Sequence, residues 1–108
     1  MSHVSTVIIV LPSGSRPETP LILEALNKYL MEQELCSRPI RPPVPDEFIS
    51  GTKCLEETVL VGAFNYFTEE HFYEVQEIVH KGLGQGARAI LIWREPDCPP
   101  RVSYVRDI

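Results

Sequence analysis

The segment formed by Ser13, Gly14, Ser15 and Arg16 holds the residues whose types and positions come nearest to an anion-binding site. It follows a predicted strand and precedes a predicted helix, where backbone N–H groups and the helix dipole favour a negative charge. Arg16 would add a positive charge there. The segment matches neither of the glycine-rich phosphate-binding patterns, and Pro20 removes one backbone N–H group. A weak phosphate or nucleotide site at 13–16 and an ordinary polar connection are therefore alternatives.

The histidines and cysteines show no pattern for acid–base, nucleophilic or metal chemistry. His71 and His80 are nine residues apart on one predicted helix, so they project to opposite sides. Cys36, Cys54 and Cys98 form no CxxC pair, and an odd number of cysteines argues against a disulfide framework. We expect no metal and no cofactor. The sequence favours a binding protein over an enzyme, although an enzyme stays open.

A stripe of carboxylates follows one side of the second predicted helix. Glu70, Glu74 and Glu77 are spaced by four and three residues, which places them on one face. Such a stripe is typical of a solvated helix surface. The more specific hypothesis is that this stripe binds a basic partner, because complementary charge speeds association.

Aromatic side chains on the predicted strands are the other candidates for partner binding. Phe64 and Tyr66 have the same parity and would share one face, and Trp93 and Tyr104 lie on later strands. Aromatic residues are enriched in the buried centres of interfaces. If the sheet has an open side, these four aromatic residues are the candidates for it, with Phe64, Tyr66 and Trp93 as the predicted partner-binding residues. The alternative is simple packing in the core.

Three segments are apolar at successive positions instead of alternating: residues 7–11, 59–64 and 89–93. A strand with one face in water alternates apolar and polar side chains, so both faces of this sheet are predicted to be covered. Amphipathic helices are predicted near 20–35 and 68–82. Two helices pack most naturally on one face, which leaves the other face for a partner.

The order of these elements predicts the fold class. With a proline-rich connector at 37–45 and a short strand at 46–51, the order is β-α-β-β-α-β, and residues 102–105 add a short final strand. We expect a single α+β domain over residues 1–108 with a ferredoxin-like sandwich. The alternative is a small three-layer α/β sheet with one helix on each face.

Capping residues predict where the helices begin and end. Thr19 is the predicted N-cap of the first helix, with Pro20 at the first helical position. Thr68 is the predicted N-cap of the second helix, and the glycines within 82–86 are predicted to cap its other end.

The composition argues against several classes of protein. The chain has 108 residues, 44% of them hydrophobic and 23% charged, with a net charge of −5. These values are typical of a soluble globular domain, and no apolar run approaches the length of a membrane span. The negative charge argues against nucleic-acid binding. The first residues show no signal-peptide pattern, so we expect a cytoplasmic protein.

Together these patterns predict a small acidic cytoplasmic module that acts by occupying a partner protein, as inhibitors, immunity-type proteins and adaptors do, or that pairs with itself as a homodimer. One alternative is a small ferredoxin-like enzyme or ligand-binding protein with a pocket at a dimer interface. The other is the weak phosphate binder through residues 13–16.

Overall fold

The computed structural model describes residues 4–12, 16–36 and 57–106. The predicted connector at 37–45 and the predicted strand at 46–51 lie outside the described residues. The elements in chain order are β1 (Val4–Leu11), α1 (Glu18–Glu32), β2 (Thr58–Asn65), α2 (Glu69–Gly82), β3 (Arg88–Arg94) and β4 (Arg101–Arg106). Within those ranges, neither helix is long and apolar enough to cross a membrane.

The four described strands form one antiparallel sheet in the order β2-β1-β3-β4. β1 lies in the interior of the sheet and is paired along both of its edges, with β2 and with β3. The predicted final strand is confirmed: β4 pairs with β3 as an antiparallel hairpin. The chain therefore has an α+β fold.

Both helices cover the same face of the sheet. The buried residues of α1 and α2 belong to one core cluster with alternate residues of β1, β2 and β3. The helices also contact each other directly, and the Ile22 side chain of α1 lies against Gly82 of α2. The three-layer alternative, with one helix on each face, is therefore wrong for the part of the chain that is described.

The first helix begins earlier than its predicted cap. Thr19 is buried inside the first turn, where its hydroxyl donates a hydrogen bond to the Pro12 carbonyl oxygen at 3.3 Å. The N-cap is Pro17, whose backbone is already helical (φ −63°, ψ −27°) and whose side chain makes no capping bond. Because the proline ring fixes φ near the helical value, the helix can start two residues sooner. The Glu18 carboxylate lies in the first turn, where it complements the helix dipole.

The second helix has the predicted N-cap but a different end. The Thr68 hydroxyl accepts a hydrogen bond from the His71 backbone N–H (3.3 Å), and the Thr68 N–H donates to His71 Nδ1 (3.0 Å). The predicted glycine C-cap is wrong. Gly82 is the last helical residue, Leu83 continues in an extended conformation, and Gly86 is the glycine with a positive φ (76°). Leu83 is buried, so packing draws the chain into the core directly after the helix.

An aromatic cluster fills one end of the core. Phe67 stacks on Phe64, with ring centroids 5.7 Å apart, and meets Trp93 edge-on at 5.3 Å. Phe72 lies 5.4 Å from Trp93. The Arg101 guanidinium covers this end of the cluster, 5.2 Å from the Phe72 ring centroid and 5.4 Å from that of Trp93. A cation is attracted electrostatically to an aromatic face, so the Arg101 side chain covers this end of the core while remaining in contact with solvent.

Candidate functional site

The face of the sheet opposite the helices carries two rows of apolar side chains. Residues that lie directly opposite each other in antiparallel strands project to the same face. The strand register therefore places one row as Val61, Ile8, Ile92 and Val102, and the next as Val59, Val10, Ile90 and Tyr104, both in the order β2, β1, β3, β4. We call these eight side chains the apolar band.

The apolar band is open to solvent in the described part of the chain. Val61 is 53% exposed, Val102 46% and Tyr104 75%, and the remaining five side chains of the band are partly exposed. An antiparallel sheet with one wet face normally places polar residues there. A contiguous apolar surface rimmed by polar residues is typical of an interaction site.

Polar residues close both ends of the apolar band. At one end Thr6 lies opposite Arg94. At the other end Arg88 lies opposite Arg106, and Glu57 stands just before β2. Within the described residues, none of these three arginines forms an ion pair. The open face is therefore locally basic, although the chain as a whole carries a net charge of −5.

A shallow cavity of about 340 Å³ lies where the apolar band meets this second polar end. Its walls include Val10, Glu57, Arg88, Ile90, Tyr104 and Arg106. Two guanidinium groups on facing strands can bind a carboxylate or a phosphate through paired hydrogen bonds. The phenol ring and the aliphatic floor add an apolar surface beside them.

The aromatic residues predicted for an open face divide between the two sides of the molecule. Phe64 and Trp93 are buried on the side that the helices cover, so their placement on an open face is corrected to core packing. Tyr66 is exposed, but β2 ends at Asn65 and Tyr66 has a positive φ of 60°. It therefore does not share a face with Phe64. Tyr104 is the aromatic residue that the strand register places on the open face.

The predicted acidic stripe is exposed on α2, in the helical layer. Glu70, Glu74 and Glu77 all face solvent. Glu70 and Glu74 border a wide depression of about 680 Å³ that also includes Tyr29 and His71. Burial raises the pKa of the Tyr29 phenol, and the negative charges of Glu74 and Glu70 raise it further. The stripe and the apolar band thus lie on opposite sides of the molecule.

The predicted anion-binding loop is described only at Arg16, because residues 13–15 lie outside the described ranges. The Arg16 guanidinium is already engaged: its Nε donates to Glu18 Oε1 and its Nη2 to the Gln85 carbonyl oxygen at 3.3 Å. The pKa of Glu18 is held below its usual value, mainly by its own backbone N–H and further by Arg16. An anion at this loop would have to compete with the Glu18 carboxylate.

Metal-binding groups are not gathered at any point in the described ranges. No cluster of three His, Cys, Asp or Glu side chains is placed there to hold an ion. Cys36 is partly buried, whereas Cys98 is an exposed free thiol. His71 uses its Nδ1 in the capping box of α2.

Comparison with known proteins gives no match: no family model, no curated protein and no solved structure resembles the chain. The sequence signal that locates the open face is the one already noted, namely strands that are apolar at successive positions. The strand register shows which four side chains form each row. The alternation of side chains along a single strand does not show this.

Proposed function

We propose that this chain is a protein-binding module that occupies a partner through the apolar band. The observation that carries the proposal is that eight apolar side chains lie side by side across all four strands on the face without helices. Burying them against another protein removes this surface from water, which is the dominant favourable term in association. Inhibitors, immunity-type proteins and adaptors act in this way, by occupation and not by chemistry.

The shape of the apolar band favours a protein over a small molecule. Four strands about 4.8 Å apart span roughly 14 Å, so the band is a broad surface. Small ligands bind in concave pockets that enclose most of their surface. Broad apolar areas with a polar rim are instead the usual centres of protein interfaces.

The charged rim restricts the kind of partner. Arg88, Arg94 and Arg106 stand at the two ends of the band, so a complementary surface needs carboxylates or hydrogen-bond acceptors opposite them. Such charges mainly set orientation and the rate of association, while the apolar band supplies the affinity.

We also propose that the whole chain forms the ferredoxin-like sandwich. In support, β2 and β3 flank β1, both run antiparallel to it, and α2 connects them on the same face as α1. A strand over 46–51 beside β2 would complete the β-α-β-β-α-β order. Backbone NOEs between residues 46–51 and β2 test this, and their absence would contradict it.

A cytoplasmic location is proposed with the same function. Cys98 is an exposed free thiol, which is usual for proteins in a reducing compartment. Fractionation of the source cells, followed by immunodetection of the chain in the soluble cytoplasmic fraction, checks this.

The test of the binding function uses substitutions that change one face at a time. Val61→Lys and Val102→Lys place a charge in the apolar band, whereas Leu21→Lys makes a comparable change at a 66% exposed position of α1. Each variant is used to capture partners from the source cell. Binding is then measured again with each purified partner and with a second copy of this chain. We expect the two band variants to lose binding and Leu21→Lys to retain it. Equal binding by all variants would contradict the proposal.

A second candidate function is the binding of a small anion at the cavity beside Arg88 and Arg106. The observation that favours it is that Arg88 and Arg106, which have no ion-pair partner among the described residues, lie opposite each other on β3 and β4 and line the cavity with Tyr104. Benzoate and inorganic phosphate are suitable probes. We expect a concentration-dependent rise in melting temperature that Arg106→Ala removes, and no rise with either probe would exclude this function.

A further inference from the structure

We propose that the partner of the apolar band is a second copy of this chain, packed face to face about a twofold axis that runs parallel to the strands between β1 and β3. This inference rests on the proposed function, because it names the occupant of the same surface. Most soluble oligomers are symmetric, and a twofold interface brings one surface patch onto its own copy. Two sheets then stack about 10 Å apart with their strands nearly aligned.

Such an axis places the apolar band of one copy over the apolar band of the other. β1 then lies over β3 of the other copy and β2 over its β4, and each row of side chains lies over the same row. The facing pairs between the two copies are Val61 with Val102, Ile8 with Ile92, Val59 with Tyr104, and Val10 with Ile90. Every pair is apolar. The most exposed side chain, Tyr104, meets a smaller one, so the surfaces can interdigitate.

The same axis also pairs the charges at the ends of the band. Glu57, at the start of β2, comes to lie over Arg106, at the end of β4 of the other copy, and symmetry repeats this pair. Arg94 faces Thr6, whose hydroxyl can accept a hydrogen bond. Arg106 therefore meets an acid and Arg94 meets an acceptor, while Arg88 lies over the position of Pro12, so no two of these arginines face each other.

Other ways of stacking two copies do not give this complementarity. A twofold axis across the strands would place Arg94 of one copy over Arg88 of the other, twice, which is a repulsive arrangement. Packing the apolar band onto the helical layer of another copy would set it against Glu70, Glu74 and Glu77. Those carboxylates would lose water without gaining partners from the band.

The experiment measures the mass of the full chain by light scattering and sedimentation over a range of concentrations. We compare the natural chain with Glu57→Arg, Arg106→Glu and the double variant E57R/R106E. Each single change sets like charges against each other, so we expect the dimer dissociation constant to rise about tenfold or more. The double variant recreates both pairs with reversed charges, so we expect it to dimerise like the natural chain. Glu77→Arg makes the same charge change on α2 and should leave the dimer unchanged.

The outcomes separate this inference from the proposed function. A natural chain that is monomeric at every concentration overturns the dimer, but the binding function survives if Val61→Lys still abolishes binding to a purified foreign partner. A dimer in which the double variant is no better than the single ones overturns the proposed axis. Species that grow beyond two copies and weaken with Glu77→Arg would show stacking on the helical layer and would also overturn it. Circular dichroism of each variant confirms that exposed charge changes leave the fold intact.

Discussion

The phenyl ring of Phe64 lies over Gly62, two residues earlier on β2, where a Cβ atom would come within 2.4 Å of Phe64 Cζ. Both residues project to the side that the helices cover. Because Gly62 has no side chain, the ring folds down onto its own strand and stacks on Phe67 at 5.7 Å. A missing side chain thus positions the first ring of the aromatic cluster.

Gly62→Ala is therefore expected to lower the free energy of unfolding by about 1–3 kcal/mol, the usual cost of overpacking a core. Urea denaturation measures this. Phe64→Leu removes the ring that the new methyl group would strike, so the cost of G62A should be smaller in a Phe64→Leu background. An equal cost in both backgrounds would show that the contact with Phe64 is not the cause.

Ser5 and Ser103 make a matched pair on the helix-covered face. The Ser5 hydroxyl is fully buried and has no hydrogen-bond partner within the described residues, whereas Ser103 Oγ donates to Gln76 Oε1 at 2.8 Å. We expect Ser5→Ala to raise the free energy of unfolding, by up to about 1 kcal/mol, because an unpaired buried hydroxyl is removed. Ser103→Ala should lower it by about 1 kcal/mol. Thermal and urea unfolding check both signs, and a loss of stability in S5A would contradict the first.

The phenol of Tyr29 predicts a loss of stability at high pH. Burial, with help from Glu74 and Glu70, raises its pKa in the folded chain. The unfolded chain therefore releases the Tyr29 proton first, near pH 10. As the pH rises from there to the raised pKa of the folded chain, the free energy of unfolding falls. The stabilisation that Tyr29 contributes is thus fully present below about pH 10 and is lost above it.

Tyr29→Phe has no proton to release, so its free energy of unfolding should fall less than that of the natural chain between about pH 8 and pH 11. Glu74→Gln should have a partial effect in the same direction, because it removes one of the charges that raise the pKa. Urea titrations at the two pH values measure the difference. Parallel losses in all three proteins would refute the assignment to Tyr29.

The capping box of α2 depends on the Thr68 hydroxyl, which accepts from the His71 backbone N–H. Thr68→Ala should cost about 1 kcal/mol of stability, the typical effect of losing an N-cap. Thr68→Ser keeps the hydroxyl oxygen and should cost much less. Amide hydrogen exchange in the first turn of α2 separates a local effect from a global one, since the T68A variant should lose protection there first.

Much of the fold follows from the sequence because its signals are local. The apolar runs mark β1, β2 and β3, the spacing of Phe72, Val75 and Val79 gives the buried side of α2, and Thr68 marks its start. These features depend on residues that are close along the chain. In the described part of the chain, the prediction that two helices leave one sheet face open is also supported, because it required only a comparison of strand faces with the number of helices.

The errors arise where the outcome depends on tertiary packing. In a strand that is apolar at successive positions, parity does not say which set of side chains the helices cover, so Phe64 and Trp93 were predicted for the wrong side. Tyr66 left the strand because its backbone turns at a positive φ. Thr19 lost its role as a cap because Pro17 already has helical angles. The partners of each open-face residue follow from the strand register, which a single sequence does not contain.

The acidic stripe acquires a different meaning once both faces of the molecule are considered together. Two copies joined through their open faces would present their helical layers outward, each carrying Glu70, Glu74 and Glu77. With a net charge of −5 on each chain, such pairs would repel one another. In the proposed dimer, the carboxylates that first suggested a place for docking would instead limit the size of the assembly, because their repulsion would oppose the addition of further pairs.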